Sequence, residues 1–201
     1  MQISRHVVGN IETNAWIVRS AGETLVIDPG DEDQAFLADA LATKPRAVVC
    51  THGHVDHIAG CRPFVEAGVP VMIGAAEAGA FGDARLNLSV WVGQPFALPG
   101  CRPVILAPGE TVRVGELEFV VLAVPGHSPG GIALFGHGHV FAGDTLFAAS
   151  VGRTDLPGGD FEQLAHSIRD VLFALPPETV VHPGHGPDTT IGDERRDNPF
   201  F

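Results

Sequence analysis

Five short apolar runs in this chain each stop at residues that can bind a metal or support one that does. TLVI (24–27) runs into Asp28-Pro29-Gly30, AVVC (47–50) into Thr51-His52-Gly53-His54, and EFVVLAV (118–124) into Pro125-Gly126-His127. HVFA (139–142) runs into Gly143-Asp144, and TVV (179–181) into His182-Pro183-Gly184-His185. Runs of aliphatic and β-branched residues bounded by Gly, Pro and Asp read as strands. A sheet holds its strand ends rigidly, so polar residues that follow several strands can be aimed at one point. Chains with this punctuation are expected to place a polar centre along a sheet edge.

Further strands are expected at 14–19, 69–73, 112–114 and 132–135. Helices are expected over 33–42, behind acidic residues suited to capping, over 57–67, and over 161–175. The last has apolar residues near i, i+3, i+4 and i+7 and stops at Pro176-Pro177. Strands dominate, no repeat of fixed period is present, and the 201 residues suit one domain, 1–201.

Composition removes some functions. Asp and Glu number 24 against 12 Lys and Arg, a net charge of -12. Such a surface repels phosphate backbones, so no nucleic-acid partner is expected. Three scattered cysteines without a C-x-x-C pair suggest a reducing compartment. No basic segment leading into an apolar one opens the chain, and no apolar run reaches membrane-spanning length. A cytoplasmic location without a membrane partner is expected. Tyrosine is absent, so no phenol can serve as an acid.

The densest chemistry is T-H-G-H-V-D-H at 51–57. Histidine nitrogens and carboxylate oxygens are good ligands for zinc and similar divalent ions. His52 and His54, one residue apart on a tight turn, can grip one ion. Asp56 and His57 lie further along and can grip a second. Two neighbouring ions call for a shared carboxylate, for which Asp144 is placed, and His127 and His185 would complete the two sets. His182 competes with His185; it ends a strand, whereas His185 lies between glycines. Asp28 is expected either to orient the metal loop through hydrogen bonds or to be a plain turn residue. Cys50 reads as a buried, inert thiol. His137 and His139 read as part of a solvated turn, and His6 and His166 as structural.

Taken together, these motifs resemble the metallo-β-lactamase fold superfamily. T-H-G-H-V-D-H is similar to the H-x-H-x-D-H motif, and D-P-G (28–30), P-G-H (125–127), G-D-T (143–145) and P-G-H-G (183–186) are similar to its other motifs, in order. The resemblance implies an α/β architecture, an αββα sandwich of two mixed β-sheets flanked by helices. It implies that His52, His54 and His127 hold one ion, that Asp56, His57 and His185 hold the other, and that Asp144 bridges. The ions would be two divalent metals, zinc first, with iron or manganese as alternatives.

His57 directly after Asp56, the stretch G-D-T-L-F-A-A-S-V-G-R-T-D-L-P-G-G-D (143–160) and the tail G-D-E-R-R-D-N-P-F (192–200) resemble the short glyoxalase II-like hydrolases. That likeness implies a thioesterase in which a hydroxide between the ions attacks a small-molecule thioester, S-lactoylglutathione or a related hydroxyacyl thioester. Asp56 would also orient the attacking group. Arg153 is a candidate to meet a substrate carboxylate, or forms a salt bridge with Asp155 or Asp160. Residues 87–96 either line the pocket, with Trp91 as an apolar wall, or pack in the core. A second group with this fold, the iron-dependent persulfide dioxygenases, shares the first motif and a G-R-T-D stretch like 152–155. On that likeness His52, His127 and Asp144 would hold a single iron.

Overall fold

The structure is a computed structural model that describes residues 1–43 and 45–201. Its first sheet is built from β1 (Gln2–Val8), β2 (Thr13–Ser20), β3 (Glu23–Ile27), β4 (Ala47–Cys50), β5 (Val71–Gly74) and β6 (Val104–Leu106), in that spatial order. The first three strands are antiparallel neighbours, and β3 to β6 run parallel. The second sheet holds β7 (Thr111–Val114), β8 (Leu117–Ala123), β9 (Ile132–Gly136) and β10 (His139–Gly143). After a short ribbon of β11 (Leu146–Phe147) and β12 (Ser150–Val151), it is completed by β13 (Val180–Pro183) and β14 (Thr189–Thr190). Only the β10–β13 pairing is parallel in this sheet.

Alternation along the strands decides the layering. Successive side chains point to opposite faces of a sheet. In β2, Trp16 and Val18 face the second sheet, while Ala15 and Ile17 face outward. Val49 of β4, Phe119 and Val121 of β8 and Phe141 of β10 fill the same inter-sheet layer. Outside the first sheet, Val26, Val48 and Cys50 pack against Phe36, Phe64 and Phe81. Outside the second, Ala133, Val140 and Val181 pack against Leu164, Ile168 and Leu172. Both strand faces are therefore apolar wherever a strand is central, and the layers run helix, sheet, sheet, helix, as expected of an αββα sandwich.

Three of the helices start where the sequence offers a cap. Asp33 accepts from the Phe36 N–H at 2.8 Å and starts α1 (Gln34–Leu41). The expected helix over 57–67 is instead three pieces: α2 (Val55–Ile58), a 3₁₀ turn at Ala59–Cys61, and α3 (Arg62–Glu66). The break falls where the chain presses on the 28–31 turn. Gly60 N–H donates to the Pro29 carbonyl at 2.7 Å, and a Cβ on Gly60 would lie 2.4 Å from the Asp31 carbonyl oxygen. Asp160 caps α4 (Phe161–His166), which widens into a π-helical turn over Ser167–Leu172, short of the expected 175. Thr190 caps α5 (Ile191–Asp197). Among the described residues, no helix is long and apolar enough to cross a membrane.

Candidate metal centre

Ends of both sheets meet at one edge, and there the strand-end residues converge. β4 delivers His52 and His54, and α2 delivers Asp56 and His57. The loop after β8 delivers His127, the residue after β10 is Asp144, and the turn after β13 delivers His185. Donor atoms of His52, His54 and His127 lie within 4.8 Å of one another, as do those of Asp56, His57 and His185, and those of His52, His57 and Asp144. Asp144 thus joins the two triads. Its Oδ1 is 3.3 Å from His57 Nε2, and its Oδ2 is 3.6 Å from His127 Nε2 and 3.5 Å from His185 Nε2.

The donor set fits divalent cations. His52 Nε2, His57 Nε2 and Asp144 Oδ1 are buried without a hydrogen-bond partner in the protein. A buried polar atom left unpaired is costly, and here three of them point into one cluster. His54 Nδ1 and His127 Nε2 also face each other at 2.9 Å. Nitrogen and carboxylate donors in this proportion match zinc, iron and manganese.

Electrostatics favour the metal-ready protonation states of His52, His54, Asp56 and Asp144, whereas at His57 and His185 burial is outweighed by the neighbouring carboxylates, which raise both above the usual histidine range. Burial and the neighbouring imidazoles hold His52 well below the usual histidine range. Burial, then His127 and His57, push His54 down to about 4. Both are therefore neutral at pH 7. Burial alone would raise the Asp56 and Asp144 carboxyls, but His57 and His185 outweigh it and bring both below their ordinary range.

Around these groups a second set of contacts fixes orientation. Asp28 accepts from the Thr51 N–H and from Thr51 Oγ1, each at 2.7 Å. Its Oδ2 also faces His57 Nδ1 at 3.0 Å, off the line of a straight hydrogen bond. Asp28 is thus an orienting residue, with φ of 51°, a left-handed conformation that Asp tolerates. His127 Nδ1 lies 2.8 Å from the Arg153 carbonyl oxygen, which selects the tautomer that leaves Nε2 facing the cluster.

The Arg153 guanidinium itself is exposed and held by Asp155 through two contacts of 2.7 Å. His182 is buried against Trp16 and Phe141, outside the cluster. His137 sits on the exposed turn, whereas His139 is half-buried and stacked on His182, with their nitrogens 2.9 Å apart. That corrects the expectation of a solvated turn for His139: parallel pairing of β10 with β13 brings it beside His182. Cys50 is buried, 3.6 Å from Cys61 Sγ, and burial pushes its thiol well up, as an inert cysteine requires. Trp91 is 71% exposed and lines the cavity over the cluster, so it is not a core residue.

Two contributors escape sequence reasoning. Glu77, buried, accepts from the Gly53 N–H at 3.0 Å through Oε2 and from the Gly130 N–H at 2.6 Å through Oε1. It ties the His52/His54 turn to the loop that follows His127. The one visible hint is a lone charge in the otherwise apolar AAEAGAF. Asn14, also buried, donates to the Pro183 and Gly186 carbonyls at 3.0 and 2.9 Å and so clamps the His185 turn from the opposite sheet. An Asn at the start of a strand carries no signal of that role.

Comparison with known proteins agrees with this geometry. The profile of the metallo-beta-lactamase superfamily matches residues 8–185. The chain belongs to that metallo-hydrolase superfamily. It is 34% identical to the hydroxyacylglutathione hydrolase GloC of Haemophilus influenzae, over 88% of this chain and 86% of that one. Among solved structures it is similar to the BLEG-1 B3 metallo-beta-lactamase (34% identity, TM-score 0.94, 99% of each chain). It is also similar to TTHA1623 in a di-iron-bound form (39%, TM-score 0.86, 98% and 100%) and to ETHE1 from Myxococcus xanthus (31%, TM-score 0.79, 99% and 84%).

Proposed function

We propose that the protein is a binuclear metal-dependent thioesterase acting on hydroxyacyl thioesters, with S-lactoylglutathione as the substrate to test first. The observation that carries this reading is a pair of complete donor triads joined by Asp144 on the floor of a cavity of about 540 Å³. His52, His54 and His127 would hold one ion, Asp56, His57 and His185 the other, and Asp144 would bridge. Bound there, two divalent ions would bring the pKa of a water between them towards neutral and polarise a carbonyl oxygen.

The chain's own groups complete the reaction. Asp56 lines the cavity, and its lowered pKa keeps it a carboxylate at neutral pH. Its Oδ2 accepts from Thr13 Oγ1 at 3.2 Å and faces His185 Nε2 at 3.2 Å. Those contacts hold it in one orientation, from which it can accept a hydrogen bond from the attacking water and aim its lone pair. A departing thiol needs no dedicated acid, since thiols ionise near pH 8.5, and the site offers no tyrosine to supply one. The likeness to GloC supports a hydroxyacyl thioester as the substrate.

A second reading, an iron-dependent persulfide dioxygenase using His52, His127 and Asp144, is supported by the likeness to ETHE1. The dioxygenases share the first motif, so Asp56 and His57 do not separate the two readings; the tail (192–200) and the P-G-G-D loop (157–160), which resemble the glyoxalase II-like hydrolases, favour the hydrolase. Metal analysis of the purified protein, with thioester hydrolysis and oxygen uptake measured side by side, tests both. Two ions per chain with thioester turnover support the first reading. One iron with oxygen consumed on a persulfide overturns it.

A further inference from the structure

The cavity over the metal centre has an uneven lining. His54, Asp56, His127, Asp144 and His185 form its floor. Its wall and rim are made of Ile11, Leu88, Trp91, Val92, Phe147 and Leu156. Three of these stay exposed although they are large and apolar: Ile11 at 48%, Trp91 at 71% and Val92 at 52%. Apolar side chains gathered beside a polar centre, on a chain otherwise rich in surface acids, mark a binding surface more often than chance exposure. The lining includes Arg153, two of whose three guanidinium nitrogens, Nε and Nη2, are already held by Asp155. Recognition along this wall therefore comes from apolar contact rather than from pairing with a substrate anion.

From this we infer that the substrate carries an uncharged apolar arm that lies along Ile11, Trp91 and Val92 while its carbonyl sits over the cluster. The inference rests on the thioesterase reading for the reaction, and names a substrate with an apolar arm that neither half of S-lactoylglutathione carries. An apolar arm can belong to the acyl group or to the thiol, and wall contact is the chemistry that both share. Trp91 lines the same cavity as His54 and Asp144, and that continuity with the metal floor points to a substrate surface.

Two substrate series and one binding measurement test it, all on the metal-loaded protein. The acyl series is acetyl, butyryl and hexanoyl thioesters of N-acetylcysteamine, a small uncharged thiol. The thiol series is acetyl thioesters of methanethiol, propanethiol and glutathione. Burying a methylene on the wall should raise kcat/KM by about two- to fourfold. A slope in the first series assigns the arm to the acyl group; a slope from methanethiol to propanethiol that reverses with glutathione assigns it to the thiol. The Trp91→Ala variant should lose progressively more with chain length.

Binding is read separately from turnover by tryptophan emission. Of the two tryptophans Trp16 is buried, so Trp91 reports on the wall. S-alkyl thioethers of N-acetylcysteamine, which cannot be hydrolysed, should shift its emission to the blue with affinity rising with chain length. Hydrolysis that is flat in both series, with no emission shift, overturns the inference and leaves the thioesterase reading standing. An emission shift without hydrolysis of any thioester overturns the thioesterase reading and leaves the apolar arm standing.

Discussion

Asp28 faces His57 across 3.0 Å at the foot of the cluster, and the same carboxylate holds both Thr51 polar groups. One buried acid thus fixes the first residue of the histidine turn and the ring of its last histidine. Removing one oxygen acceptor should be felt in both. Asp28→Asn, which keeps the left-handed backbone, should weaken metal binding about 10- to 100-fold. It should also destabilise the chelated protein by about 1–3 kcal/mol, as one buried hydrogen bond is lost. Metal titration and denaturant unfolding check the two effects.

Glu77 acts at a different pair of points. Its oxygens hold Gly53 and Gly130, which flank the triad of His52, His54 and His127. Glu77→Gln turns an amide donor towards one of those N–H groups. It should lower affinity for the first ion bound by that triad while the second triad keeps its own. Stepwise metal removal by a chelator should show one site emptying early in the variant, with the metal-free proteins melting closer together than the loaded ones.

His54→Ala should cut metal content and abolish turnover while the far-ultraviolet circular dichroism stays that of the parent. The reason is that the three apolar layers do not involve His54. A variant with unchanged activity would refute its place in the triad.

Gly184 is fixed by contact rather than by conformation. A Cβ there would lie 2.0 Å from Asp144 Oδ1 and 2.7 Å from His57 Cε1. Gly184→Ala should therefore displace the bridging carboxylate and lose metal from both triads. A metal content equal to that of the parent would show that the turn can shift without disturbing Asp144.

Far from the centre, Asp39 joins α1 to the first sheet through His6 at 3.0 Å and Arg19 at 2.7 Å. Partial burial works against its charge, but the hydrogen bonds from His6 and Arg19 outweigh that and lower its pKa. The folded state thus binds the proton less readily than the unfolded one. The added stability is present above the ordinary carboxylate pKa and fades as pH falls through the lowered folded value. With Asp39 39% exposed, solvent screening holds the effect to about 0.5 kcal/mol. Asp39→Asn should cost about that much at pH 7, and the gap to the parent should close as unfolding is followed below about pH 4.

Central strands were legible because burial on both faces leaves apolar runs. AVVC is β4 to the residue, and the runs at 118–124 and 139–142 fall within one residue of β8 and β10. β1 was not legible: QISRHVV lies at an edge, half solvated, and needs β2 beside it to become a strand. β6 is three residues on the opposite edge, and β14 is two. At the site, histidines and aspartates placed after strands were brought together as the spacing suggested. Asn14 and Glu77 were not, because their work is done on backbone groups distant in sequence, and only the packing of the two sheets supplies those partners. Trp91 shows the same limit: the apolar run around it suits a pocket wall and a core equally, and only the packing, which leaves it in the cavity, decides for the wall.

The seven converging side chains divide by origin. His52, His54, Asp56 and His57 come from the first sheet's side, and His127, Asp144 and His185 from the second's. Each triad takes at least one member from each side. Occupying the site is then mechanically a rivet driven through the seam of the sandwich. Prising the sheets apart at this edge would then also empty the site, so an ion held there would add its own bonds to the apolar layer that closes the seam.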